Sequence, residues 1–462
     1  MLRLFDTAHG KVRPLEPRDP GKVSMYVCGP TVYGPPHLGH GRFSLVFDVL
    51  RRYLEWTGAA VRYVSNITDV DDNIINRANR ENVEWTEVAT YWEQVWWDAM
   101  DAIGVKRPTV DPHASAFIER MIELIGDLVE RGVAYETADG VYFQADRVDD
   151  YGLLARQSID SLRAGARVEA NEDKRSPIDF ALWKKAKPGE PSWPSPWGPG
   201  RPGWHTECVV MALDLLGEGF DIHGGGQDLA FPHHENERAQ AVAEDRPFAR
   251  HWVHNGWVVV EGEKMSKSLD NFTNLLDFVA SSDARSYRLL VLRSHYRAPI
   301  EVTKETVADA EKALKRLDSF ARRFASSVGD AVPDADALDR FRALMDDDLG
   351  TPAAIALLFD LVARANKDDD LAAAAAALEI AGAVGLELRT EAGEVGDEAL
   401  DIARERDEAR AAKDWARADA LRDDLVAMGY DVEDTPDGTQ IRPHCSPTSR
   451  LRVAALFPHS VE

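Results

Sequence analysis

Residues 23–56 restrict the fold more than any other stretch. Positions 23–27 form a short apolar run that ends at Cys28-Gly29, where a chain can turn tightly. A loop with Gly34, Pro35 and Pro36 then leads into His37-Leu38-Gly39-His40, after which Phe43, Val46, Phe47, Leu50 and Leu54 recur at helical spacing. Strand, tight loop and amphipathic helix make a β-α unit, and 61–64 supplies the next apolar run. A parallel sheet with ligands beyond its carboxyl edge is therefore expected. His37 and His40 fall at the helix start, where free N–H groups attract phosphate and two imidazoles add donors, while Gly39 permits close approach. Alone, the pair reads as well as two histidines on a surface helix.

A second stretch strengthens the phosphate reading. Lys264-Met265-Ser266-Lys267-Ser268 follows a charged, glycine-containing segment and reads as a loop. Two ammonium groups on such a loop can close over a phosphate chain and neutralise charge that builds there. A basic surface turn is the bland alternative, and the pairing with the histidines in this order weakens it.

At 462 residues the chain exceeds the roughly 250–300 residues that one core supports, so several domains are expected. No apolar run reaches the ~20 residues of a membrane span, and the opening MLRLFDTAHGKVRP lacks a signal-peptide core, so a cytoplasmic location is expected. Three cysteines, Cys28, Cys208 and Cys445, make no disulfide framework, which suits a reducing compartment. A net charge of −25 argues against indiscriminate nucleic-acid binding but leaves room for a segregated basic face, with 312–323 and 404–422 as candidates.

Several motif matches fail on their own terms. The acidic run 66–72 would place Ile74 where a calcium loop needs glycine. Gly198, Gly200 and Gly203 have dinucleotide-binding spacing, but they lie in a proline-rich stretch, around 170–203, that reads as loop. His234-Glu235 opens a metalloprotease pattern that Arg238 breaks, and His223-Gly-Gly-Gly has no nucleophile elbow to serve. His233 and Glu237 remain, four apart in a segment that reads as a helix, so they share a face as a metal-ligand pair would. Cys28 and Cys208 would add two thiolates, although composition alone favours buried structural cysteines. Gly224-Gly225-Gly226-Gln227-Asp228 reads as a glycine loop after a short strand, with Asp228 able to accept from ribose hydroxyls. Beyond 270 the chain reads as helical and alanine-rich to about 388, then as one charged helix at 399–428 and a β-hairpin.

HLGH followed by KMSKS resembles the signature pair of class I aminoacyl-tRNA synthetases. The wider text, including YVCGPTVYGPPHLGH, NITDVDDNII, GWHTECVVMALDLLG, FDIHGGGQDLAFPHHENERAQ and HNGWVVVEGEKMSKSL, is similar to the cysteinyl-tRNA synthetase family from about residue 20 to about 443. The resemblance implies an α/β protein with a Rossmann-like parallel-sheet catalytic domain in two halves, 1–97 and 201–270, around a connective insertion at 98–200. It implies a helical stem-contact and bundle region at 271–395 and an anticodon-binding helix, hairpin and tail at 396–462. The implied activity is activation of L-cysteine with ATP and transfer to the 3′ end of tRNA(Cys). One Zn²⁺ per chain is implied on Cys28, Cys208, His233 and Glu237, and Mg²⁺ accompanies ATP. His37, Gly39, His40, Gly226, Asp228, Lys264 and Lys267 are the implied ATP site, with His37, His40, Lys264 and Lys267 catalytic. Gly29, Thr68 and Trp204 are assigned to the amino-acid pocket. No membrane partner is expected, and a monomer is the expected working form.

The rival readings are a cysteine ligase of mycothiol synthesis with an amino-sugar acceptor, a cofactor-making nucleotidyltransferase, and a non-catalytic RNA- or zinc-binding descendant. The sequence departs from the family pattern at Asp270, where glycine is usual, and at Ile441, where tryptophan is common. The tail 443–462, with Cys445, has no counterpart in that pattern.

Overall fold

Four parallel strands stand at the centre of the molecule: β1 (Lys22–Val27), β2 (Ala60–Val64), β3 (Ile222–Gly226) and β4 (His251–Asn255), in the order β4-β3-β1-β2. The computed structural model describes residues 1–165, 174–259, 274–329, 331–390, 397–428, 430–435 and 438–443. Lys264, Lys267, Asp270 and the tail with Cys445 lie outside the described residues. The expected βαβ start is present, with α1 (Leu38–Trp56) joining β1 to β2. All four carboxyl edges point the same way, and chain order reverses across β1 and β3, which is where an open α/β sheet forms its crevice.

The pleat of β1 serves two cores. Val23, Met25 and Val27 enter one, shared with α1 and the helices Arg285–Arg293, Lys304–Phe324 and Thr351–Asp368. Tyr26, and Cys28 just past the strand, enter the other, shared with α2 (Trp204–Leu216). That second core also covers an antiparallel sheet of Ala134–Glu136, Gly140–Phe143, Phe180–Lys185 and Gly200–Pro202.

Three expectations about elements need correction. The stretch around 170–203 is not all loop, since it supplies two strands of this sheet. Its glycines are there for backbone packing: a Cβ on Gly200 would lie 2.2 Å from the Lys184 carbonyl oxygen, and one on Gly203 1.9 Å from that of Ala181. Gly224, Gly225 and Gly226 do not follow a strand but form β3 itself, because a Cβ on Gly224 would meet the Phe47 ring of α1 at 2.3 Å. The charged segment 399–428 is two helices, Asp397–Ala411 and Trp415–Ala427. Lys413 adopts a left-handed φ of 58°, and the Asp414 side chain caps the second helix by accepting from the Arg417 N–H. The hairpin Tyr430–Thr435 with Gly438–Pro443 forms as expected, and Ile441 is buried against Ala399, Ala403 and Leu425.

Two buried arginines weld α1 to the later chain. Arg42, two residues past His40, donates to the carbonyls of Trp257, Tyr296 and Ala298. Burial pulls its pKa down to about 10. Arg288 pairs with Asp48 at 2.6 Å and donates to the Gly104 carbonyl at 2.7 Å. Burial pushes the Asp48 carboxyl up, but Arg288 and Arg52 outweigh it and hold it below the usual range. No helix among the described residues is long and apolar enough to cross a membrane.

Candidate functional site

Cys28, Cys208, His233 and Glu237 converge although 209 positions separate the first from the last. Their ligand atoms all lie within 4.8 Å of one another, and all four side chains are buried. The two sulfurs are 3.7 Å apart, Cys28 Sγ is 3.5 Å from Glu237 Oε1, and His233 Nε2 is 3.1 Å from the same oxygen. Cys28 arrives from the end of β1, Cys208 from the first turns of α2, and Glu237 from α3 (Glu235–Ala243). His233 precedes α3, in a turn over Ala230–His234 that contains a non-helical Phe231, so only part of the segment expected as helix is one.

The donors fit a thiophilic cation. His233 Nε2 is buried without a hydrogen-bond partner, and burial pushes both thiols above their usual pKa range. A cation among these atoms would give the nitrogen a partner and strip the thiols of their protons. A second overlapping set, Cys28, His223, His234 and Glu237, is equally close. The carboxylate decides between them: His223 Nε2 holds Glu237 Oε2 at 2.7 Å from behind, leaving Oε1 to face Cys28 and His233. His223 thus orients the Glu237 carboxylate from outside the four-donor cluster.

Around the cluster lies a smaller polar shell. Trp204, 38% exposed, stacks on the His233 ring at 4.0 Å and stands at the surface beside the cluster rather than in the core. Thr68 is buried; its hydroxyl accepts from Asn66 Nδ2 and donates to Glu207 Oε2, each at 3.2 Å. Gly29 donates its N–H to Asn66 Oδ1 at 2.9 Å. A Cβ there would fall 1.7 Å from the Asn66 carbonyl oxygen, so the neighbouring chain demands this glycine.

The HLGH tetrad forms the first turn of α1, with His37 as its N-cap and His40 three residues in. His37 Nδ1 accepts from the His40 N–H and His40 Nδ1 from the His37 N–H, both at 3.2 Å, while the rings stack at 3.6 Å. Burial lowers both pKa values, that of His40 to about 3, so both rings are neutral near pH 7. With each Nδ1 accepting, the proton of each ring sits on Nε2, which makes two directed N–H donors. Gly39 is tight against the His37 ring, at 2.9 Å for a notional Cβ, so glycine lets the ring fold back over the turn. Asp228 is exposed just past β3, near enough that its charge opposes the fall in the His37 pKa. Gly226, at the end of β3, accommodates the Asp228 carboxylate, which a Cβ would meet at 2.4 Å.

The chain matches the tRNA synthetases class I (C) catalytic domain over residues 14–312, the DALR domain over 340–388 and the cysteinyl-tRNA ligase anticodon binding domain over 392–442. It is 43% identical to the cysteine--tRNA ligase of Syntrophotalea carbinolica, across 95% of this chain and 98% of that one. The chain belongs to the cysteine--tRNA ligase family. The relative from Laribacter hongkongensis is 45% identical across 96% of this chain and all of its own length. Among solved structures, the chain resembles in fold the Mycobacterium tuberculosis methionyl-tRNA synthetase with methionyl-adenylate, at a TM-score of 0.58 and 16% identity over 79% of this chain and 89% of that one. It likewise resembles the Agrobacterium radiobacter LeuRS-tRNA-LeuAMS complex, at 0.60 and 12% over 80% and 85%.

Within this cysteine--tRNA ligase scaffold, sequence reasoning missed Asn66, His205, Glu207 and His223. His205 Nδ1 meets His233 Nδ1 at 2.8 Å, and Glu207 is wholly buried with its pKa raised by burial and by Asp71 and Asp69. A faint signal existed, since His205 and Glu207 flank Cys208 in GWHTEC. Asn66 and His223 are partners only through tertiary contact. Lys264 and Lys267 lie outside the described residues, but Asn274 on the far side pairs with His37, and Leu275 N–H donates to the Pro36 carbonyl at 3.0 Å.

Proposed function

We propose that this chain is a cysteine--tRNA ligase that activates L-cysteine with ATP to cysteinyl-adenylate and passes it to the 3′ end of tRNA(Cys). The buried Cys28, Cys208, His233 and Glu237 cluster at the carboxyl edge of a class I catalytic domain carries the reading. These four residues would hold a zinc ion, which would favour a substrate thiolate over a neutral hydroxyl, a choice that pocket shape alone makes by only about 10²-fold between near-isosteres. The match to an anticodon binding domain over 392–442 favours a tRNA acceptor over an amino sugar.

Gly29, Thr68 and Trp204 line the amino-acid pocket in this reading. A cysteine carboxylate oxygen attacks the α-phosphorus of Mg²⁺-ATP, and the bond to pyrophosphate breaks. His37 and His40 donate through Nε2–H to the charge that grows on the phosphate, while Gly226 and Asp228 take the ribose. Lys264 and Lys267 neutralise the departing pyrophosphate. A hydroxyl of the terminal ribose of the tRNA then attacks the carbonyl carbon, and AMP leaves. Placement and charge do the chemistry, with no enzyme nucleophile.

In the same reading the catalytic halves are 1–97 and 201–270, the insertion 98–200, the bundle 271–395 and the anticodon-binding part 396–462, in a monomer that works in the cytoplasm. ATP–pyrophosphate exchange tests the proposal. It should require cysteine, fail with serine and fall after zinc is stripped; equal exchange with serine refutes it.

A further inference from the structure

Tyr26 of β1 packs in the second core, but its phenol O–H has no part in the function proposed above. It lies two residues before Cys28, so the pleat sends both side chains to the same face of the sheet. The residue is fully buried and its hydroxyl finds no well-aligned hydrogen-bond partner among the described residues. Its ring packs edge-on to His223 at 5.4 Å and tilted to Phe220 at 6.5 Å. Phenylalanine would fill that space without the cost of burying a hydroxyl unpaired. Cys28 and Cys208, their sulfurs 3.7 Å apart, share this buried core with the phenol, and Cys208, Cys28 and Glu237 are the ionisable groups whose charge bears on it.

We propose that Tyr26 is a positioning residue for the metal centre, its O–H donating to Cys208 Sγ when that sulfur is a metal-bound thiolate. A thiol is a weak acceptor, whereas a thiolate is a charged one and forms a stronger, better-aligned bond. The phenol thereby completes on the sulfur side what His223 does on the carboxylate side: each holds one ligand atom from outside the donor set. Sharing the sulfur's charge with a donor also lowers the energy of its electrons, which a bound metal would report as a shift in its charge-transfer absorption.

The inference rests on the metal centre proposed above, and its test separates the two. Zinc binding by the wild-type chain, measured by competition with a chromophoric chelator, tests the centre. Comparison with Tyr26→Phe tests the phenol. Tyr26→Phe should bind zinc about 10–100-fold more weakly, the usual effect of losing an outer partner, with its thermal midpoint without metal unchanged or raised. In the cobalt-loaded chain the sulfur-to-cobalt charge-transfer band should move to lower energy in Tyr26→Phe. A 3-fluorotyrosine at position 26, a stronger donor of nearly the same shape, should move it to higher energy. A role in packing alone would leave the band in place in both. The proposal is overturned if the wild type binds zinc while Tyr26→Phe matches it within about twofold. If Tyr26→Phe does not fold, an unmoved band in the fluorotyrosine protein overturns it.

Discussion

Substituting Gly224 with alanine should damage the phosphate site without touching a residue in it. The new Cβ would stand 2.3 Å from Phe47 Cε1 and 2.4 Å from Cζ, where ordinary contact begins at 3.4 Å, so ring or strand must retreat by about 1 Å. Phe47 is fully buried among core neighbours, so the added methyl should cost about 1–3 kcal/mol. Much of the adjustment falls on α1, whose first turn carries His37 and His40, and a misplacement near 1 Å costs on the order of 10²-fold in rate. Urea unfolding gives the first quantity and ATP–pyrophosphate exchange over a range of ATP concentrations the second. Phe47→Leu supplies the control: harmful alone through the cavity it leaves, it should restore part of both losses when combined with Gly224→Ala. Two results would refute the reasoning. One is a Gly224→Ala protein within 0.5 kcal/mol of wild type and fully active; the other is a double variant no better than the sum of its parts.

Other expectations follow from the same geometry. The His40 pKa is depressed to about 3, so the unfolded chain binds a proton between that value and its ordinary 6.5 while the folded chain does not. Stability should therefore be full above pH 6.5 and fall, by on the order of a few kcal/mol from this residue, as pH drops toward 3. His40→Gln should flatten part of that slope in urea midpoints taken across the range. Cys28→Ser should lower zinc content and cysteine-dependent exchange together, measured by metal analysis and pyrophosphate exchange; full zinc retention would remove Cys28 from the donor set. Arg42→Met should remove a donor from the carbonyls of Trp257, Tyr296 and Ala298, of which the first two keep the N–H groups of Ile300 and Gly256, and cost about 1–3 kcal/mol in urea unfolding, whereas Arg42→Lys, with fewer directed donors, should recover only part.

What the sequence disclosed was local or periodic. The apolar run of β1, the helical spacing beyond Gly41 and the histidines at the helix start all depend on near neighbours, and each stands where the pattern puts it. Cys28 and Cys208 were legible as residues, but nothing near either in sequence says that they meet; the resemblance to a family supplied that expectation. The glycines of β3 misled because the cause of the first, Gly224, is Phe47, more than 170 positions away, and a run of glycine looks like loop until its neighbour is known. The break at Lys413 was hidden by strong helix formers on both sides, and only the Asp414 cap hinted at it. His223 and Asn66 escaped because a buried partner has no spacing signature.

One six-residue strand, with opposite faces committed to different cores, sets a limit on how this chain can change. Inserting or deleting a single residue within 22–28 would exchange the two faces, driving a thiol into the helix-side packing and presenting Val27 to Glu237 and His233. No single replacement elsewhere would reverse that swap. Length is therefore more tightly held than composition at this point in the chain, and variation there is expected as substitution, never as insertion or loss.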